Sequence, residues 1–116
     1  MKRDLTEQIA MTCHAVHNVH CAENNQHVIP WEEKSDTHRA MVVIVVESIL
    51  EGLIESPEEA HENFVAFKQA AGWRYGPEFS TQEKTNPRLC NYEALKKEEK
   101  AKDLYFFAVV NSYKKR

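Results

Sequence analysis

The segment from Ser56 to Gly72 carries a start signal and a stop signal for one helix, and it constrains the chain more than any other feature. Ser56 is suited to an N-cap, Pro57 has the φ preset for the first helical position, and Glu59 completes a capping box. Ala60, Phe64, Phe67 and Ala71 recur at helical spacing as one apolar stripe. Gly72 fits the left-handed position that closes a helix. A helix with a single apolar face needs partners to cover it, so the rest of the chain must supply them.

Three further helices are expected. The first runs from about Asp4, a fair N-cap, to about Cys21, with Leu5, Ile9, Cys13 and Val16 at helical spacing. Glu23 to Ser35 reads as a loop, because it holds the Asn24-Asn25 pair and Pro30 and shows no apolar period. The second helix starts after Ser35 or Asp36. Its centre, Met41 to Val46, is rich in β-branched residues and resembles a buried strand. The flanks Thr37-His38-Arg39-Ala40 and Glu47-Ser48-Ile49-Leu50-Glu51 extend the pattern past strand length, so a helix buried on most sides fits better. From Trp73 to Tyr92 the helical period vanishes. Gly76-Pro77 and Asn86-Pro87 are turn signals, and short extended pieces are expected around Trp73–Tyr75 and Leu89–Cys90. The fourth helix runs from about Glu98 to Tyr113, with Leu104, Phe107 and Val110 or Ala108 on its buried side and Lys114-Lys115-Arg116 at its end. The expected fold is mainly α: about four helices, with a short β element between the third and fourth.

Size and charge bound the function. The 116 residues fit one domain, 1–116, and 42% apolar residues suffice for a core. The net charge of −3, with acids and bases mixed along the chain, argues against a general grip on nucleic acid. The longest apolar run, Ala40 to Val46, is too short to span a membrane, and Met1 to Ala10 has no apolar stretch of the kind a secretory signal needs. Cys13, Cys21 and Cys90 are odd in number, which together with the missing signal points to free thiols and a cytoplasmic location.

Several constellations could carry chemistry. Cys13, His17 and Cys21 are four apart and share a helical face, a spacing compatible with a transition metal. Structural zinc sites usually join a Cys-x-x-Cys knuckle to distant ligands, so small buried side chains are the plainer reading and no metal is expected. A Cys-His nucleophilic pair lacks a glycine-rich turn or helix start for an oxyanion hole. His61 and Glu62 are adjacent on a helix and point apart. No enzymatic activity is expected. The stretch from His61 to Tyr92 is richer: Phe64, Trp73, Tyr75 and Tyr92 lie among Lys84, Asn86 and Arg88. Aromatic faces beside amide and cationic donors suit a planar anion. The alternative is that the rings only pin a loop, and Trp73, just after Gly72, reads as structural.

Taken together, His61-Glu62-Asn63-Phe64, Gly72-Trp73-x-Tyr75-Gly76-Pro77, Lys84-Thr85-Asn86-Pro87-Arg88-Leu89, Tyr92 and Lys102-Asp103 resemble the RyR domain, the repeat also found in ryanodine receptors. The likeness covers about residues 55 to 110. More loosely, Cys13-His14, Cys21 and Pro30-Trp31-Glu32 are similar to the leading segment of stand-alone bacterial and phage members. The resemblance implies a helical repeat without catalytic activity, which pairs with a second repeat around a cleft for adenine nucleotides. Family members in prokaryotes are proposed to sense or sequester nucleotide-derived signals. It places His61, Phe64, Asn86, Arg88 and Asp103 at that cleft. Relatives usually carry Trp where this chain has Phe64, and many carry His where it has Asn86.

The expected function is a non-enzymatic binding module for an adenine nucleotide or a nucleotide-derived signal, in a cleft that a two-fold homodimer would complete. Phe64, with Trp31, would stack on the base. Asn86 and His61 would bond the base or ribose, and Arg88 and Lys84 would meet phosphate. The alternative is a structural or protein-interaction module, with Trp31, Phe64 and Tyr75 as contact residues and no small-molecule ligand.

Overall fold

The structure, a computed structural model, describes residues 4–114. Its helices are α1 (Leu5–Glu23), α2 (Asp36–Leu50), α3 (Pro57–Ala70) and α4 (Lys97–Asn111). Single 3₁₀ turns at Trp31–Glu33 and Tyr92–Ala94 lead into α2 and α4. The fold is mainly α, as the sequence indicated. Lys115 and Arg116, expected to close the last helix, lie outside the described residues.

Side chains set the helix starts. The Asp4 carboxylate accepts from the Glu7 amide at 2.9 Å, Ser35 from His38 at 3.1 Å, and Ser56 from Glu59 at 3.2 Å. The Glu59 carboxylate accepts from the Glu55 amide at 2.6 Å, so the capping box is displaced by one residue from its usual form. Three helix ends share one closure. Asn25, Gly52 and Gly72 have φ of 58°, 80° and 90°, and the next residue donates back into the helix: Gln26 to Cys21, Leu53 to Ser48 and Trp73 to Lys68.

The core forms where α1 packs on α2 and α4, and α3 packs on α4. Ile9, Val46, Ile49 and Val110 are its most buried members. α2 is a helix, but it is not buried on most sides. Met41, Val42, Val45, Val46 and Ile49 face inward, while Ala40, Ile44 and Glu47 face water. α4 departs further from expectation. Leu104 and Ala108 are exposed, and the inward stripe is Asp103, Phe106, Phe107 and Val110. The reason is that a buried carboxylate, Asp103, occupies a position where an apolar residue was sought. On α3, Ala71 is exposed and His61 joins Ala60, Phe64 and Phe67 on the inner side. The β element consists of isolated bridges from Arg74 and Ser80 to Thr85. Leu89–Cys90 is a bend instead, and Leu89 serves as a buried anchor. No helix among the described residues is long and apolar enough to cross a membrane.

The orientation of α2 gives a test. A strand would put Ile44 and Val46 on the same face; the helix separates them. Ile44→Lys should change unfolding free energy in urea by no more than about 0.5 kcal/mol. Ile49→Ala, at a fully buried position, should cost about 2–5 kcal/mol.

Candidate functional site

Asn86-Pro87-Arg88 is a turn held by its own side chain. The Asn86 Oδ1 accepts from the Arg88 amide at 2.8 Å, and the Asn86 amide donates to the Arg74 carbonyl at 3.1 Å. The turn aims Arg88 at α4. There Nη1 donates to the Glu99 carboxylate at 2.8 Å and to the Glu99 carbonyl at 3.1 Å. Nη2 donates to both Asp103 oxygens at 3.1 Å. Glu99 and Asp103 are four residues apart, so one helical face presents both carboxylates. The guanidinium also lies 5.4 Å from the centre of the Phe64 ring. Burial alone raises the Glu99 carboxyl; hydrogen bonds from Arg88 and Gln26, with the charges of Lys102 and Arg88, outweigh it and hold it near about 2.

His61 closes the same cluster from below. Its Nε2 donates to the Cys90 carbonyl at 2.8 Å, and its Nδ1 lies 3.4 Å from Asp103. The ring is fully buried against Phe64 and Tyr92. Five sequence-picked residues, His61, Phe64, Asn86, Arg88 and Asp103, therefore do meet in space. They meet largely by bonding one another. Arg88 is committed to carboxylates instead of waiting for phosphate, and His61 supports the site from beneath. Glu62 is exposed, so it forms no acid–base pair with His61.

Two picked residues fall elsewhere. Trp31 is buried in the core, with its ring 5.7 Å from that of His14, so it offers no face to a base. Lys84 has φ 55° and donates from Nζ to the Ala71 carbonyl at 2.9 Å, closing the end of α3.

Beside the Arg88 cluster lies a cavity of about 160 Å³. Met41, Val42, Val45, Ala60, Phe64 and Phe106 form its apolar floor. It opens into a broad groove of about 1390 Å³. His17, Lys34, His38, Phe64, Arg88 and Lys102 border both spaces. Asp103 lines the cavity and Asn86 the groove.

The electrostatics of this mouth are unbalanced. Burial and then the nearby charges of Lys102, His14, Arg88 and Lys34 hold His17 down at about 4. Burial, Lys34 and Lys68 hold His38 down at about 3. Both rings are therefore neutral at pH 7. Burial lowers Lys34, partly offset by Cys21, and burial together with Lys34 lowers Lys68. Lys102 has Glu99 at 3.1 Å. Lys34 and Lys68 have no carboxylate partner among the described residues; Lys68 has only the Trp73 ring, 5.2 Å from its Nζ.

Sequence reasoning passed over this group, although a signal existed. His38 is in register with Met41, Val42 and Val45, and Lys68 sits one turn beyond Phe64. Lys34 lay in the segment read as a loop without period. As for the suspected metal face, Cys21 Sγ is 3.4 Å from His17 Nε2. Burial pushes the Cys13 thiol up to about 12, beyond the lowering by its backbone hydrogen bond. Among the described residues no group of three or more His, Cys, Asp or Glu is gathered for a metal.

Arg88→Ala would strip the guanidinium from Asp103 and leave Glu99 with only Lys102 and Gln26, and should destabilise by about 2–4 kcal/mol in urea unfolding. Arg88→Lys should recover little, because an ammonium cannot fork to Asp103 while reaching Glu99.

A family model described as the RyR domain matches residues 36–108. It begins at α2, earlier than the likeness read from the motifs, and leaves α1 outside. None of the curated proteins matches the chain.

Proposed function

The chain belongs to the RyR domain family, and from that premise we propose that it is a non-enzymatic module that binds an adenine nucleotide or a nucleotide-derived signal. One observation carries the reading: Lys34 and Lys68, half buried and with no carboxylate partner among the described residues, border the groove beside an apolar cavity that Lys34 also lines. Desolvated like charges destabilise the free protein, and an anion between them relieves that. Phosphate is the matching group, since ammonium side chains grip it as point charges. The ring system enters beside Phe64. An apolar cavity of about 150 Å³ admits a benzene-sized ring, so the 160 Å³ space takes part of a base and the remainder lies in the groove. Asn86, whose Oδ1 already accepts from the Arg88 amide, would offer its Nδ2 to the base edge or ribose. Neutral His17 and His38 contribute further hydrogen bonds without adding repulsion to the lysines.

Arg88 takes a revised part, as the brace that shapes the wall and sets Phe64. Asp103 acts through Arg88 in the same way. A two-fold homodimer would cover the open side of the groove and supply the second repeat with which relatives enclose a cleft. The three free thiols suit a cytoplasmic setting.

A thermal-shift screen of AMP, ADP, ATP, ADP-ribose and cyclic dinucleotides tests the reading. A ligand at a hundredfold excess over its Kd should raise the melting temperature by about 5–10 °C. Lys34→Ala and Lys68→Ala should each remove most of that rise while keeping the fold. Light scattering with the ligand present should give twice the mass of one chain. No shift with any of these compounds would contradict nucleotide binding and favour a protein-interaction module.

A further inference from the structure

The cavity and the lysines occupy only part of the groove. Its far part is bordered by Trp73, Tyr75 and Phe79. Phe79 is 62% exposed and Tyr75 is 57% exposed. The Trp73 and Phe79 rings stack with centres 5.6 Å apart at 27°, and Lys68 lies over Trp73. Exposed aromatics on a loose loop would mean little, but this loop is tied. Arg74 and Ser80 bridge to Thr85, the Thr85 hydroxyl donates to the Glu78 carbonyl at 2.8 Å, and Lys84 fastens the loop to the end of α3. Gly76 lets it close. A Cβ there would stand 2.6 Å from the Thr85 Cβ, so the two segments touch with no room to spare. The result is a rigid aromatic shelf, and rigid aromatics are what planar ligands stack on at low entropic cost.

The size of the groove, with Phe64, Lys68 and Trp73 succeeding one another along α3 and its end, then points to the ligand. A single drug-sized ligand fills about 300–1,000 Å³, and the groove measures about 1390 Å³. One base beside Phe64 and one phosphate group on Lys34 and Lys68 leave the shelf uncovered. Lys68 links the two parts, because it borders the anion position and also covers Trp73.

We propose, building on the nucleotide reading, that the ligand is a dinucleotide: two ring systems joined through phosphate, one beside Phe64, the bridging phosphates at Lys34 and Lys68, and the second ring on the Tyr75–Phe79 shelf. The cationic side chains adjoining the shelf, Lys68 over Trp73 first among them, favour this occupant over an apolar peptide.

Isothermal titration of the full chain with ADP and with diadenosine diphosphate, which carries two adenosines on one pyrophosphate, distinguishes the possibilities. The dinucleotide should bind about tenfold or more tightly than ADP, the gain expected from one further stacked base. Phe79→Ala, at an exposed position, should bring the ratio of the two affinities close to one. Tyr75→Ala gives an independent check with the same expected direction. Equal affinities in the unmodified protein, or a ratio unmoved by both substitutions, would overturn the two-ring proposal and leave mononucleotide binding standing. Binding of neither compound would overturn both readings together.

Discussion

The fork from Arg88 to Glu99 and Asp103 is the interaction on which the rest of the molecule depends. It fixes the irregular segment between α3 and α4 against α4, and it does so from a turn that Asn86 holds in shape. Through Asp103 it reaches His61, and through its flat face it reaches Phe64. A buried ion pair is weak evidence of net stability, because desolvation offsets attraction. Its contribution here is geometric: it selects one seating of the segment and one wall for the cavity. The residues by which the family is read are thus the frame of the site more than its lining.

That frame explains the unusual electrostatics beside it. The nearby carboxylates of α4 are already occupied: Glu99 serves Arg88, Gln26 and Lys102, and Asp103 serves Arg88. Among the described residues no carboxylate pairs with Lys34 or Lys68, although Glu33 and Glu98 also border the groove. His17 and His38, which border the same groove, stay neutral at pH 7, since burial and nearby cationic side chains oppose their protonation. A protein selected only for stability would place an acid there. On the proposed reading, an anion received from outside would relieve the imbalance, and removing the lysines would stabilise the empty protein at the expense of that binding.

Much of the fold could be read from the chain, and the failures have physical causes. α3 was legible because Ser56, Pro57 and Gly72 satisfy backbone groups by local rules that tertiary packing leaves intact. The position of α2 was legible from Ser35 and from its length, while the exposure of Ile44 depends on neighbours that no local pattern specifies. On α4, Phe107 and Val110 were legible as inner residues, but no local rule marked Leu104 as exposed: Asp103 takes the inward position beside it, buried by pairing with Arg88, a residue 15 positions away. The same long-range pairing concealed the purpose of Arg88: composition marks a cation, and only the fold shows that it is already matched. Trp31 and Lys84 were misplaced for kindred reasons, one drawn into the core by α1 and the other bent back to cap α3. His38 and Lys68 were recoverable from helical register with Met41 and Phe64, but register alone does not tell a site residue from a half-buried polar one.

On the proposed reading, Lys34 and Lys68 form a cationic pair reserved for phosphate. Site-resolved NMR titration of the two lysine side chains addresses it directly, in the free chain and with pyrophosphate added. The account predicts that both ammonium groups titrate below the ordinary lysine value in the free protein and rise when pyrophosphate binds. Ordinary titration of both lysines, unchanged by pyrophosphate, would contradict it.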